Sequence, residues 1–263
     1  MISAGIDIGS LTAKCVLLKN SSIMAYKISK VSPDVEKTAI KIFEETLIFA
    51  GISKDEVSTI FSTGYGRARV GFANKAVTEI SCHAMGAYFL FPNVRTVIDI
   101  GGQDSKVIAV ENGKVVDFVM NDKCAAGTGR FLEVMANSLH LRIDEIGEIA
   151  LKAKKKVTIS STCTVFAESE VISHIAAGEK IEDIVAGICE AIASRIAGMA
   201  KRVGVREEVV LTGGVAKNAG VKKALEEKLG INIRVPEEPQ IVGALGAAVF
   251  AMQSVSKSGN RKT

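Results

Sequence analysis

Two short segments of the chain place an aspartate, a glycine turn and a lysine at the same spacing. Residues 6–14 (IDIGSLTAK) and 98–106 (IDIGGQDSK) are offset by 92 residues and are identical at five of nine positions. An aspartate at a strand end can hold Mg²⁺, and glycines let backbone N–H groups approach a phosphate closely. An ordinary β-turn would present the same residue types. The repetition nevertheless favours two phosphate-facing hairpins that converge on one ligand, within a duplicated fold.

Two further glycine turns follow predicted strands. Residues 63–67 (TGYGR) follow a strand predicted over 57–62, and Gly213-Gly214 follows one predicted over 208–212. A strand, glycines and a helix N-terminus in succession suit a nucleotide phosphate, although a plain surface turn explains each case equally well. The sequence lacks the G-x-x-x-x-G-K-[ST] pattern, which argues against a P-loop NTPase.

The cysteines fall into two groups by their surroundings. Cys124 and Cys163 each lie in a small, polar segment directly before a predicted helix. The N-terminus of a helix stabilises a thiolate, and thiolates ligate iron or zinc. A 4Fe–4S cluster commonly takes four thiolates and no CxxC is present, so a symmetric dimer would supply two from each chain. A buried, inert thiol is the alternative for both, and we favour it for Cys82 beside His83.

Composition limits the classes of protein that the chain can represent. With 263 residues, 48% hydrophobic and 5% aromatic, it suits an α/β enzyme with a sizeable core. The net charge of +4 is too balanced to indicate nucleic-acid binding. No long apolar run or export signal is present, so we expect no membrane association and a cytoplasmic location. In that setting, the odd count of five cysteines favours metal binding or thiols over disulfides.

Hydrophobic periodicity predicts alternating strands and helices, with a meander of three strands at the start. These strands are predicted over residues 3–8, 14–19 and 23–30. A helix should open at Ser32-Pro33, because a capping hydroxyl before proline is preferred there. A strand is predicted over 157–160, and the polar tail from Ser254 is predicted to be disordered.

Taken together, these motifs resemble the ATPase activators of 2-hydroxyacyl-CoA dehydratases, relatives of the ATP-binding subunits of benzoyl-CoA reductase. The resemblance runs from residues 5–10 (GIDIGS) to 243–248 (GALGAA). Its most specific segments are 121–131 (NDKCAAGTGRF) and 160–173 (SSTCTVFAESEVIS). It implies the duplicated, two-lobed α/β fold of the actin, sugar-kinase and heat-shock-chaperone ATPases. Residues 1–95 with 242–263 would form one lobe, and 96–241 would form the lobe carrying the cluster cysteines.

The resemblance also implies the cofactors and their ligands. It implies an oxygen-sensitive homodimer with one 4Fe–4S cluster held by Cys124 and Cys163, and one ATP or ADP with Mg²⁺ in the cleft of each chain. The implied catalytic residues are Asp7, Asp99, Gln103 and Asp104. The implied nucleotide-binding residues are Ser10, Leu11, Thr12, Ala13, Lys14, Gly101, Gly102, Gln103, Gly213, Gly214, Asn218 and Gln240. Leu11 departs from the family, in which a small residue is commoner.

The function implied by the resemblance is ATP-dependent donation of one electron to an iron–sulfur dehydratase in a transient complex, with ferredoxin or flavodoxin as the electron source. A benzoyl-CoA-reductase-like or double-cubane-cluster enzyme is an alternative partner. A small-molecule kinase of the same fold is a further alternative, although a kinase has no use for paired cysteines. A purely regulatory ATP-binding protein would hydrolyse ATP without any redox change.

Overall fold

The computed structural model describes residues 1–160 and 163–259, with side chains up to residue 255. Within these ranges the strands are β1 (Ile2–Ile8), β2 (Thr12–Lys19), β3 (Ser22–Lys30), β4 (Val57–Thr63), β5 (Lys75–Ala76), β6 (Thr96–Ile100), β7 (Ser105–Glu111), β8 (Lys114–Asn121), β9 (Val209–Thr212) and β10 (Ile233–Arg234). The α-helices are α1 (Val35–Ala50), α2 (Glu79–Leu90), α3 (Gly129–Ser138), α4 (Ile146–Leu151), α5 (Thr164–Ala176), α6 (Ile181–Val203), α7 (Ala219–Leu229) and α8 (Val242–Gly259). No helix within the described ranges combines the length and apolar character needed to cross a membrane.

The strands form two five-stranded sheets with the same connectivity. The first has the order β3-β2-β1-β4-β5, and the second has the order β8-β7-β6-β9-β10. In the first sheet β1 pairs antiparallel with β2 and parallel with β4. In the second sheet β6 pairs antiparallel with β7 and parallel with β9. The predicted duplicated α/β fold is therefore confirmed.

The strand register is also duplicated. Asp7 on β1 lies opposite Lys14 on β2 and Thr63 on β4. The corresponding residues of the second sheet are Asp99, Lys106 and Thr212. Each central strand therefore brings an aspartate, a lysine and a threonine to the same edge of its sheet.

The chain divides into two compact units, each built around one of the sheets. The first unit comprises Met1–Val94, Val110–Val115 and the residues from Gln240 onward. The second unit comprises Arg95–Ala109 and Val116–Pro239. The lobe boundaries predicted from the sequence stay a prediction.

In the first unit helices cover both faces of the sheet. On one face Ile42, Phe43 and Leu47 of α1 pack against apolar residues of β1 and β2. On the other face α8 packs through Leu245 and Ala248 against β2 side chains. Because both faces are covered, all seven residues of β1 are buried, which explains its nearly continuous apolar sequence.

Three glycines allow backbones to touch in the first unit. A Cβ on Gly5 of β1 would lie 1.9 Å from the Ala244 carbonyl oxygen of α8. A Cβ on Gly86 of α2 would lie 2.1 Å from the Val242 carbonyl oxygen, and one on Gly246 would lie 1.8 Å from that of Cys82. Any larger residue would separate these elements, so the glycines hold β1, α2 and α8 together at their backbones.

The second unit is built around α6, a helix of 23 residues. Its apolar side chains, including Ile188, Ile192 and Ile196, join one buried cluster with Ile98 of β6 and Leu211 of β9. The same cluster takes in residues of α3, α4, α5 and α7. The second sheet and the two helices that follow the candidate cysteines therefore share one core.

Three predictions of local structure are wrong. The first helix is capped by Asp34, whose carboxylate accepts the Lys37 N–H, so it begins after Ser32-Pro33. Residues 157–160 are not a strand. Helix α8 continues through Gly259 where disorder was predicted from Ser254, while residues 260–263 of that predicted tail lie outside the described part of the chain. The meander of β1, β2 and β3 is confirmed.

Candidate functional site

The first candidate turn joins β1 to β2 and is built on one ion pair. The Gly9 N–H donates to the Thr12 carbonyl oxygen at 3.0 Å. The ammonium of Lys14 lies 3.2 Å from Oδ2 of Asp7, and both side chains are at most 11% exposed. Of the predicted binding residues, Ser10 and Leu11 are exposed at the tip, whereas Ala13 is buried. The turn thus places a buried carboxylate–lysine pair beneath an accessible backbone.

The second candidate turn joins β6 to β7 and is more acidic. The Gly101 N–H donates to the Asp104 carbonyl oxygen at 2.9 Å, which reproduces the geometry of the first turn. Lys106 Nζ lies 3.3 Å from Asp99 Oδ2 and 2.8 Å from Asp104 Oδ2. Its side chain is only 2% exposed. Gly102 is partly exposed and Gln103 is exposed, so their backbone and side-chain groups can meet a ligand.

A threonine and a glycine at the end of the neighbouring parallel strand complete each turn. Gly64 and Gly213 both have φ of +86°, a conformation that side chains disfavour. A Cβ on Gly64 would lie 2.2 Å from Asp7 Oδ1, and one on Gly213 would lie 2.9 Å from Asp99 Oδ1. Each glycine is therefore needed to let the chain pass over the aspartate. Both glycine turns were predicted from the sequence. The Thr-Gly pair that the two turns share was missed, although this repeated pair could have shown that the turns are equivalent.

The hydroxyl groups of the two threonines differ. Thr212 Oγ1 donates to Asp99 Oδ1 at 2.8 Å. Thr63 Oγ1 is buried but makes no such bond to Asp7. The equivalent aspartates are therefore held by different sets of groups.

The predicted nucleoside-contacting residues fall in two places. Gly213, Gly214 and Asn218 follow β9 in the second unit, and the Gly213 N–H donates to the Pro239 carbonyl oxygen. Asn218 caps α7, since its Oδ1 accepts the Val221 N–H at 2.9 Å. Gln240 belongs to the first unit. Asn218 thus has a structural role whether or not it also meets a ligand.

The structure separates the five cysteines by exposure. Cys124 and Cys163 are half-buried, whereas Cys15, Cys82 and Cys189 are buried, and none forms a disulfide. Burial raises the pKa of each of the three buried thiols to about 12, so they stay protonated near neutral pH. The prediction that Cys82 is buried is confirmed. Of the five thiols, the two predicted to be ligands are the ones that are not fully buried.

The two half-buried cysteines lie in segments that precede helices α3 and α5 of the second unit. Cys124 lies in the loop between β8 and α3, and Cys163 is the N-cap residue of α5, which packs against α3. The buried amide of Asn121 donates to the Cys124 and Ala126 carbonyl oxygens at 2.9 and 3.0 Å and fixes the loop. Residues 161–162 of the motif preceding α5 lie outside the described ranges.

Two backbone hydrogen bonds join the second turn to the helix that follows Cys124. The Gly129 N–H donates to the Gly101 carbonyl oxygen, and the Arg130 N–H donates to the Gly102 carbonyl oxygen, both at 2.8 Å. The first turn of a helix has N–H groups without intrahelical partners, and here the candidate phosphate turn satisfies two of them. A shift of this turn would therefore move the start of α3.

No group of three or more histidine, cysteine, aspartate or glutamate side chains among the described residues is arranged to hold a metal ion. The half-buried thiols amount to two in one chain, fewer than the four that a 4Fe–4S cluster commonly takes. A complete set of four thiolates would therefore need ligands from another chain.

The family model of the BadF/BadG/BcrA/BcrD ATPase family matches residues 4–251. The chain belongs to this family. It is therefore an ATPase, and the two aspartate–lysine turns are the candidate sites of its nucleotide chemistry. The matched range includes both turns and both half-buried cysteines.

The similarity to known proteins covers nearly the whole chain. The (R)-2-hydroxyglutaryl-CoA dehydratase activating ATPase of Acidaminococcus fermentans is 52% identical over 255 residues, which are 96% of this chain and 98% of that protein. The crystal structure of component A of that organism's dehydratase has a TM-score of 0.95, covering 97% of this chain and 99% of that one. The Clostridium difficile activator of 2-hydroxyisocaproyl-CoA dehydratase, solved with bound ADPNP, is 45% identical with a TM-score of 0.94, covering 99% and 98%.

Two further proteins are less similar to this chain. A benzoyl-CoA reductase subunit from Thauera aromatica is 34% identical, over 95% of this chain and 92% of that protein. The ROK hexokinase of Thermus thermophilus is 15% identical with a TM-score of 0.56, covering 97% of this chain and all of that one. The second likeness shows a shared two-lobed α/β fold alone.

Proposed function

We propose that the protein is an ATP-dependent one-electron donor that activates an iron–sulfur partner enzyme of the 2-hydroxyacyl-CoA dehydratase type. The similar proteins from Acidaminococcus fermentans and Clostridium difficile carry the names of dehydratase activators. The likeness to a benzoyl-CoA reductase subunit favours a benzoyl-CoA-reductase-like or double-cubane-cluster enzyme as the second candidate partner. We place the protein in the cytoplasm, with ferredoxin or flavodoxin as its electron source.

The two turns supply groups that suit ATP and Mg²⁺. Asp7, Asp99 and Asp104 offer the carboxylate oxygens that Mg²⁺ prefers. The turns formed by Ser10–Lys14 and Gly101–Gln103 offer backbone N–H groups to phosphates. Mg²⁺, when bound, would neutralise charge on the phosphates. We assign Gly213, Gly214, Asn218 and Gln240 to the nucleoside, and Gln103 to the catalytic group.

Cys124 and Cys163 fit a 4Fe–4S cluster shared by two chains. They are the two half-buried thiols. Cys163 is the N-cap residue of α5, where a helix N-terminus stabilises a thiolate, and Cys124 lies in the loop that precedes α3. Two chains would supply four ligands, so the proposal includes a homodimer. Such a cluster, when bound, would supply a one-electron carrier whose potential depends on hydrogen bonds, charge and exposure.

The observation that carries the proposal is the pair of hydrogen bonds from Gly129 and Arg130 to the second turn. The turn that follows Asp99 and the loop that carries Cys124 are thereby joined within one unit. A nucleotide that moves the turn would move the start of α3 and, with it, the Cys124 loop. The chain's own backbone thus offers a direct route from nucleotide state to the environment of a thiolate.

Iron analysis tests the ligand assignment. Protein purified without oxygen should carry about four irons per two chains. Cys124→Ser or Cys163→Ser should abolish the iron and the visible absorbance. Cys15→Ser and Cys189→Ser are matched controls that should retain both, because those thiols are buried. An unchanged iron content in the Cys163→Ser protein would contradict the assignment of Cys163 as a ligand.

Chelator access tests the coupling. We expect an iron chelator to remove iron at different rates with ADP and with a non-hydrolysable ATP analogue. Gly129→Ala should reduce this difference, since its Cβ would lie 3.2 Å from the Gly101 carbonyl oxygen and 3.3 Å from Gly102 Cα. Equal rates in wild-type protein shown to bind both nucleotides would leave an ATPase that merely holds iron. A colourless protein with steady phosphotransfer to a small alcohol would indicate a kinase.

A further inference from the structure

His83 is a buried histidine that the proposed function leaves without a role. It lies on α2 and is 7% exposed. The Gly86 and Gly246 contacts described above bring the backbones of α2 and α8 together. His83 therefore faces the first turn of α8 and not solvent.

The imidazole and the Asp7 carboxylate border the same small space. A Cβ built on Gly243, in the first turn of α8, would lie 3.0 Å from His83 Nε2 and 3.2 Å from Asp7 Oδ2. Gly243 has no side chain, so nothing larger than a hydrogen atom stands at that point. The first turn of α8 also carries the positive end of its helix dipole, which suits a neighbouring carboxylate.

Asp99, the equivalent aspartate of the second unit, has a hydrogen-bond partner that Asp7 lacks. Asp99 is held by Lys106 and by the Thr212 hydroxyl. Asp7 has the equivalent lysine, but the equivalent Thr63 hydroxyl does not bond to it. A carboxylate with one anchored oxygen can rotate about its last torsion, which would misplace a metal-facing oxygen. A second donor to the Asp7 carboxylate would restrict this rotation.

We propose that His83 is a positioning residue for Asp7, a second donor beside Lys14, with Nε2–H directed at Oδ2 of the carboxylate. This inference rests on the proposed function, because it assigns Asp7 to the ATP and Mg²⁺ site. The histidine does not touch the nucleotide. It sets the orientation of the carboxylate that does.

Three variants test this role in the anaerobically purified full chain. His83→Leu removes the donor at similar volume. His83→Gln restores an N–H near the position of Nε2. Met85→Leu is the matched control, a volume-conserving change at a buried position on the same helix. Steady-state ATPase kinetics give kcat and KM, and thermal unfolding together with iron content reports on the fold.

His83→Leu should lower kcat about tenfold or more, the effect expected from losing a hydrogen bond to a charged group. KM for ATP should change less than about twofold, because nucleoside contacts are intact. His83→Gln should recover most of kcat, and Met85→Leu should match wild type. Unchanged kcat in His83→Leu would overturn the proposal. A loss of activity that follows lowered thermal stability and is not rescued by glutamine would also overturn it. Full ATPase activity in Asp7→Asn would instead show that the nucleotide site itself is misassigned.

Discussion

The two turns share a backbone but differ in the groups that surround the lysine. Lys14 faces one carboxylate, Asp7, whereas Lys106 lies between Asp99 and Asp104. Asp104 occupies the turn position that Thr12 has in the first turn. The first set is therefore neutral and the second carries one net negative charge. Duplication preserved strand register, because register depends on backbone pairing and burial, while single side-chain changes gave the two turns different electrostatics.

This difference favours different ligands for the two turns. An acidic turn attracts a divalent cation, and a neutral one repels phosphate less. We therefore expect the second turn to contribute more to Mg²⁺ binding and the first to contribute mainly backbone N–H groups to phosphate. Substitutions at equivalent positions can test this expectation pair by pair.

The largest effect is expected from removing the second lysine. Lys106→Met keeps most of the side-chain length but leaves the buried Asp99 without its cation, at a cost of about 3–5 kcal/mol in the free energy of unfolding. Lys14→Met should cost less, because Lys14 neutralises one carboxylate and its pair is slightly more exposed. Urea unfolding of both variants under anaerobic conditions measures the difference. An equal or larger loss in Lys14→Met would contradict the comparison.

An intermediate effect is expected at the threonines. Thr212→Val removes a buried hydrogen bond to Asp99 and should cost about 1.5–3 kcal/mol. Thr63→Val should be nearly neutral, because the hydroxyl that it removes does not hold Asp7. The same unfolding measurement applies to both. Similar losses in the two variants would mean that Thr63 also holds its aspartate.

The smallest effect on stability, and a distinct effect on metal dependence, is expected at the turn positions. Asp104→Asn should raise the Mg²⁺ concentration for half-maximal ATPase activity about tenfold, equivalent to roughly 1.4 kcal/mol. Thr12→Asn, at the equivalent position of the first turn, should leave that concentration within about twofold. A titration of ATPase activity with Mg²⁺ distinguishes them. An unchanged Mg²⁺ requirement in Asp104→Asn would remove the basis for assigning the cation to the second turn.

The duplicated turns could be predicted from the sequence, because each one is marked by residues that are adjacent in the chain. Asp7 and Asp99 each follow apolar strand residues and precede a glycine, and the repeat makes the similarity visible. The proximity of His83 to Asp7 could not be predicted, since it depends on backbone contact between α2 and a helix that begins at Val242. The residues that surround His83 in the sequence do not indicate which distant segment it contacts.

The strand predicted over residues 157–160 is wrong for a related reason. Its apolar, β-branched residues fit a strand, but residues elsewhere satisfy its backbone. The Ser160 N–H donates to the Glu170 carboxylate, and the Val157 N–H donates to the Asp183 carbonyl oxygen. Just before this segment, the Asp183 carboxylate accepts the N–H groups of Lys154 and Lys155. The hydrogen bonds from Lys155, the strongest contributor, and Lys154 lower the pKa of the Asp183 carboxyl. Hydrogen bonds to residues distant in sequence take the place of a neighbouring strand, and local propensity cannot predict them.

The contact between β1 and α8 can form only late during synthesis, because the two elements are far apart in the sequence. The Ser3 hydroxyl donates to the Ala248 carbonyl oxygen across 245 residues of sequence, and Gly5 touches the same helix. A ribosome would therefore release the whole of β1 and then nearly all of the second unit before α8 emerges to cover the first sheet. Contacts so distant in sequence form slowly. Pulsed hydrogen exchange during refolding should accordingly protect the amides of α6 before those of α8.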